Sequence, residues 1–200
     1  MGRVLRFDSL SKILSSGIRI GFVSGPEPLV NAMDMHVGVP LQPRNRVTLT
    51  GTSQTMTANL QVSSLTQTIA SVLLRSWGYD GFKLHTEAVS SFYKQKRDTF
   101  ERALRTHLDG LVEWDTPEAG MFVWFKLLIA DKPGEEGDSL DLVRHKAFEN
   151  GVLALPGTVF LPDGRKTAYV RASFSLLSEE DVNEALRRLR VTVLEARKQE

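Results

Sequence analysis

The run Ser9-Leu10-Ser11-Lys12 sets one lysine among hydroxyls, and Arg19 follows it in a turn bracketed by Gly17 and Gly21. Those residue types suit one kind of chemistry. A lysine amine that sheds its proton near neutral pH attacks a carbonyl. An aldehyde cofactor held that way as a Schiff base carries a phosphate, which hydroxyls and a fixed cation must hold. Lys12 is then a candidate nucleophile, with the hydroxyls of Ser9 and Ser11 and the cation of Arg19 close by in sequence. Plain alternatives stand beside this reading. A lysine after two serines is commonly a solvated loop residue, serine hydroxyls often satisfy nearby backbone groups, and a strand-edge arginine in a surface ion pair contributes little. Arg171 is the second residue of interest, flanked by apolar neighbours in Tyr169-Val170-Arg171-Ala172-Ser173-Phe174. An unpaired charge in such a strand is costly, so a bland role is harder to assign to it.

These groups need elements to position them. Residues 3–7 alternate polar and apolar, which predicts a short strand ending before Lys12. Residues 18–23 predict a second strand, and Gly25-Pro26 leads from it into a helix over residues 26–36. Residues 37–58 follow neither period and read as a loop of unusual length. Helical spacing returns over 60–77 through Leu65, Ile69, Val72, Leu73 and Trp77, and Gly78-Tyr79-Asp80-Gly81 predicts its end. A long helix is expected from Phe82 to about Leu108, with Leu84, Val89, Phe92, Tyr93, Phe100 and Leu104 as its apolar face. Beyond it, strands are expected over 111–114, 121–127, 152–155 and 168–174. A charged loop over 130–138 precedes a helix capped by Asp138 or Ser139 and stopped by Gly151. Ser178 opens a last helix with Val182, Ala185, Leu186, Leu189 and Val193 as its buried stripe. Trp124, Phe125 and Tyr169 read as core residues.

The 200 residues are 42% apolar and 24% charged, with a net charge of +1. That is enough chain to bury a core and too little charge to favour nucleic acid or an anionic membrane as a partner. The absence of cysteine excludes disulfides and thiolate metal sites. His36, His85, His107 and His145 lack metal-ligand spacing, so no metal is expected. No apolar run reaches the length of a bilayer span, and residues 1–25 lack a signal-peptide layout. The expected compartment is the cytoplasm, or the mitochondrion if a presequence once preceded the chain.

Three further segments extend the lysine motif in order: Gly120-Met121-Phe122-Val123-Trp124-Phe125, then Gly151-Val152-Leu153-Ala154-Leu155-Pro156-Gly157, then the strand around Arg171. Together they resemble the fold-type I pyridoxal-phosphate (PLP) aminotransferases of class I/II. The nearest likeness within them is to the kynurenine/2-aminoadipate and fungal aromatic aminotransferases. The resemblance implies an α/β fold in partial form. Residues 1–80 would be a remnant of the PLP-binding large domain, with 37–58 an atypical insertion or loop, and residues 81–200 the C-terminal α+β small domain. It implies pyridoxal 5'-phosphate as cofactor, held by Lys12, Ser9, Ser11 and Arg19. It implies that Lys12 carries a proton to and from the substrate α-carbon. It gives Arg171 the substrate α-carboxylate, a bidentate match that lysine cannot reproduce. Amino acid and 2-oxoacid substrates such as 2-oxoglutarate, and a homodimer, complete the expectation.

Two departures from the family pattern bear on that expectation. The family has a long stretch before the lysine, with an acidic partner for the pyridine nitrogen, an Asn and a Tyr near the ring hydroxyl, and a stacking aromatic. No residue here takes those roles, so the chain is expected to be a C-terminal portion that folds only partly and turns over poorly alone. Residues 37–58 match nothing in the pattern and read as translated intron or as a lineage-specific loop. An aminotransferase-like effector domain of a transcription regulator, or an inactive fragment, are the readings that compete with the enzyme.

Overall fold

The computed structural model describes residues 3–36, 62–129 and 137–199. The loop expected over 37–58, and most of that over 130–138, lie outside the described residues. The chain divides into two compact units, Met1–Val89 and Ser90–Glu200.

In the first unit, β1 (Arg6–Ser9) and β2 (Gly21–Ser24) pair antiparallel, with Arg6 opposite Ser24 and Ser9 opposite Gly21. The strand lies later than the alternation over 3–7 suggests, because pairing with β2 rather than pattern alone sets its ends. Two single turns of 3₁₀ helix join the strands, Leu10–Lys12 and Ser16–Ile18. Serines cap both: Ser9 Oγ accepts from the Ser11 amide at 3.2 Å and Ser15 Oγ from the Gly17 amide at 3.3 Å. Leu10 and Ile20 bury inside this loop against Ala70, and the Leu10 amide donates to the Ile20 carbonyl at 2.9 Å. Helix α1 (Glu27–His36) follows Pro26, as expected.

Helix α2 (Ser64–Leu108) is continuous in sequence but broken at Gly78, whose φ of 62° and ψ of −169° are not helical. The end expected over 78–81 is thus a break at one residue, after which the helix resumes. The stripe expected on its first part is not buried. Leu65, Ile69 and Val72 are exposed, and Ala70 is the buried position. The physical reason is the size of the unit: Leu10 and Ile20 receive one narrow line of the helix, not a broad face.

In the second unit, β3 (Val112–Trp114), β4 (Phe122–Leu127), β5 (Leu155–Pro156) and β6 (Tyr169–Ser173) form an antiparallel sheet in the order β3-β4-β6-β5. Alternation decides its two faces. Val123, Phe125, Leu127 and Val170 are buried in one core with Phe100, Leu104 and Leu108 of α2. Phe122, Trp124, Tyr169 and Arg171 alternate with them on the other face. Helix α3 begins over Ser139–Asp141, where Asp138 Oδ1 accepts from the Leu140 amide at 2.9 Å. It then widens into a π-helical stretch, Leu142–Ala147, which the periodicity did not foresee. The wider turn keeps Leu142, Val143 and Ala147 all inside the core. Helix α4 (Glu179–Gln199) opens on a reciprocal cap: Ser178 Oγ accepts from the Asp181 amide at 3.0 Å, and Asp181 Oδ2 from the Ser178 amide at 3.4 Å. Val182, Leu186, Leu189 and Val193 are its buried line, while Ala185 is only half-buried. No helix among the described residues is long and apolar enough to cross a membrane.

Candidate functional site

The loop between β1 and β2 gathers the four residues singled out in the first unit. Ser9 ends β1, Ser11 and Lys12 lie in the first 3₁₀ turn, and Arg19 follows the second. Arg19 has φ 49° and ψ 41°, the only non-glycine among the described residues with a positive φ. That left-handed step turns its side chain back across the loop. Its Nη1 donates to Ser11 Oγ at 3.2 Å and to the Ser16 carbonyl at 3.2 Å. A guanidinium and two serine hydroxyls thus lie on one loop, a donor set that suits an anionic oxygen cluster. Lys12 is exposed, and its amine makes no hydrogen bond or ion pair with any described residue. An amine left free in this way remains available to react.

One residue supports this loop from outside. His85 on α2 donates through Nε2 to the Ile13 carbonyl at 2.8 Å, and its ring lies 4.7 Å from that of Trp77. The peptide next to Lys12 is therefore tied to the helix just past the Gly78 break. In the sequence His85 stands out only as one of four histidines without metal-ligand spacing. No local signal joins it to a loop 72 positions away.

In the second unit, Arg171 sits on β6 opposite Trp124 of β4 and Leu155 of β5. It is half-buried, and among the described residues no carboxylate pairs with it. Its Cζ lies 4.3 Å from the ring centre of Phe122 and 4.5 Å from that of Phe160. The reading of Trp124 and Tyr169 as core needs correction, since they lie on the open face and Trp124 is 39% exposed. They stack on each other at 5.4 Å and 10°, and Trp124 meets Phe160 edge-on at 5.6 Å. Phe125, on the opposite parity, is the core residue, at 1% exposure. Phe122 and Phe160 carried no role in the sequence reading. The parity of β4 was the available signal, because it puts 122 and 124 on the face away from 123 and 125. Among the described residues no cluster of His, Asp or Glu could hold a metal ion.

Known proteins resemble this chain over most of its length. The profile of "Aminotransferase class I and II" matches residues 3–189. The chain is 42% identical over 188 residues to the aminotransferase tdiD of Emericella nidulans, covering 94% of this chain and 38% of that protein. It is 37% identical over 196 residues to the mitochondrial kynurenine/α-aminoadipate aminotransferase of Bos taurus, covering 98% and 40%. Among solved structures it superimposes, with TM-score 0.75 and 27% identity, on LysN, an α-aminoadipate aminotransferase of Thermus thermophilus complexed with N-(5'-phosphopyridoxyl)-L-leucine, covering 98% and 43%. The chain thus spans about two-fifths of the relatives it matches. The fold is part of fold type I, and pyridoxal 5'-phosphate is the cofactor of these enzymes. With the profile running over nearly its whole length, the chain belongs to the class I and II aminotransferases.

Proposed function

We propose that this chain supplies the lysine, phosphate and carboxylate sites of a PLP-dependent transamination. The observation that carries the proposal is the loop in which Arg19 Nη1 reaches Ser11 Oγ while the Lys12 amine stays unpaired. The donor set fits the cofactor. Hydroxyls and a guanidinium suit a phosphate, and a free primary amine suits an aldehyde. Ser9, Ser11 and Arg19 would hold the phosphate, and Lys12 would hold the aldehyde carbon. When bound, the cofactor supplies an electron sink for charge developing at the substrate α-carbon. Once the substrate's amine has displaced it from the aldehyde carbon, Lys12 Nζ is the base that takes the proton from the substrate α-carbon and returns it one position along, and Arg171 fixes the substrate by its carboxylate.

The donor is proposed to be an aromatic, kynurenine-type or 2-aminoadipate amino acid, with a 2-oxoacid such as 2-oxoglutarate as acceptor. Two things support this: the names of the relatives, and the aromatic cluster of Trp124, Tyr169 and Phe160 beside Arg171. An enzyme is favoured over a regulator domain or an inactive fragment because an unpaired lysine beside an arginine–serine pair has a chemical use.

The test is an absorbance titration of the chain with pyridoxal 5'-phosphate, followed by borohydride reduction and peptide mass spectrometry. The expected result is saturable binding, with the phosphopyridoxyl mass on the Lys12 peptide and its loss in Lys12→Ala. Equal labelling of the variant through surface lysines would sink the proposal.

A further inference from the structure

We infer that Phe122 and Phe160 are positioning residues for Arg171, clamping its guanidinium between two rings so that its fork is set before a carboxylate arrives. This rests on the carboxylate role proposed above for Arg171. A guanidinium is planar and weakly hydrated, and it stacks on aromatic faces. With a ring centre at 4.3 Å and another at 4.5 Å, rings hold the Arg171 guanidinium from Phe122 and from Phe160. Its N–H donors lie in the guanidinium plane, so rings packed against its faces would leave those donors free for a carboxylate. The rings also exclude water from beside the charge, which strengthens a charge-assisted pair. A long side chain already ordered loses less freedom when its ligand binds.

The fold places both rings by separate means. Phe122 lies on β4 opposite Ser173, diagonal to Arg171 across the β4–β6 pair. Phe160 ends the 3₁₀ turn Gly157–Phe160, which lies hard against β6. Gly157 permits that approach, because a Cβ there would sit 2.8 Å from the Tyr169 carbonyl oxygen and 2.9 Å from Thr167 Cγ2. Trp124 then holds Phe160 edge-on, and Tyr169 backs Trp124 by stacking. Glycine, turn, ring and fork form one chain of contacts. A merely structural role for the rings would be to cover the charge. Such a role would affect stability and not carboxylate affinity, and the two are separable by experiment.

The chain contains three tryptophans, so a uniformly ¹⁵N-labelled sample gives three indole signals. Trp124 reports on the clamp. Trp114, whose Nε1–H donates to Glu101 Oε1 at 3.3 Å, reports on the fold. The probe is 2-oxoglutarate, titrated into the whole chain. The expected result is a saturable shift of the Trp124 signal that Arg171→Met abolishes. Phe160→Leu and Phe122→Leu should each weaken binding about tenfold, which corresponds to about 1.4 kcal/mol, with Trp114 unmoved, and Phe160→Tyr should restore it. Leucine variants that bind within about twofold of the unsubstituted chain, about 0.4 kcal/mol, would overturn the clamp while leaving Arg171 its role. No saturable shift in the unsubstituted chain, or one that survives Arg171→Met, would overturn the carboxylate role and the clamp with it. If a leucine variant moves the Trp114 signal, the comparison passes to Phe122→Tyr and Phe160→Tyr. Both keep a ring face and must keep full affinity, or the clamp is refuted.

Discussion

Arg19 joins two demands that oppose each other. Its guanidinium must reach back to Ser11, and to do so its backbone takes a left-handed conformation that costs an L-residue about 1–2 kcal/mol. Glycine takes that conformation without strain. Arg19→Gly and Arg19→Ala both delete the guanidinium, but only the alanine variant keeps the strain. The glycine variant should therefore unfold at no lower urea concentration than the alanine variant, despite its larger unfolded-state entropy. Both should bind pyridoxal 5'-phosphate at least about tenfold more weakly, the scale of one charge-assisted hydrogen bond. Unchanged affinity in both would return Arg19 to the status of a surface residue. This part of the site was legible in the sequence because lysine, hydroxyls and arginine lie within one short loop. His85 was not, because its bond to the Ile13 carbonyl closes a separation of 72 positions. Phe122 and Phe160 were hidden for a related reason. Their meeting at Arg171 depends on strand register and on a turn tucked against β6, and neither is a local pattern.

At the scale of elements, periodicity was a good guide wherever an element buries a broad face. The last turns of α2, with Phe100 and Leu104, and α4, with Val182, Leu186, Leu189 and Val193, are of that kind, whereas Leu84 and Phe92 of the face expected on α2 are exposed. It misled over 60–77, where the apolar positions Leu65, Ile69 and Val72 recur at helical spacing yet face no core. It also could not foresee the π-helical widening of α3, which answers to packing rather than to repeat. Gly78 gives a sharp test of the break in α2. In a continuous helix, replacing an interior glycine with alanine stabilises by about 1 kcal/mol. Gly78 instead has φ 62° and ψ −169°, a region essentially reserved for glycine, in which other residues cost about 1–3 kcal/mol. Gly78→Ala should therefore lower the thermal midpoint. A raised midpoint would mean that α2 runs straight through in solution and that the break is not a designed feature.

The whole molecule is uneven in how firmly it is built, and the unevenness follows from burial. In the second unit the sheet and helices enclose one continuous apolar cluster, with Leu104, Leu108, Val123, Val170 and Val193 all at 0–1% exposure. In the first, the apolar cluster among the described residues consists of Leu10, Ile20 and Ala70, beneath a two-stranded sheet. A lone two-stranded sheet is marginal in water, and local opening is easiest where few apolar contacts must be broken. The lysine loop thus rests on the weaker unit, where a ligand holding Ser9, Ser11, Lys12 and Arg19 has the most order to add. Hydrogen exchange read by mass spectrometry should find β4 and β6 protected far longer than β1 and β2. Pyridoxal 5'-phosphate at about a hundred times its dissociation constant adds roughly 2.7 kcal/mol to whatever it binds, and should slow exchange in residues 6–24. Leu104→Ala, which removes a fully buried side chain at a cost of about 2–5 kcal/mol, should speed exchange in β4 and β6. Equal protection of the two units without ligand would contradict the argument from core size. A slowing spread evenly over both units would show that the cofactor stabilises the chain as a single cooperative body rather than ordering the loop that carries Lys12.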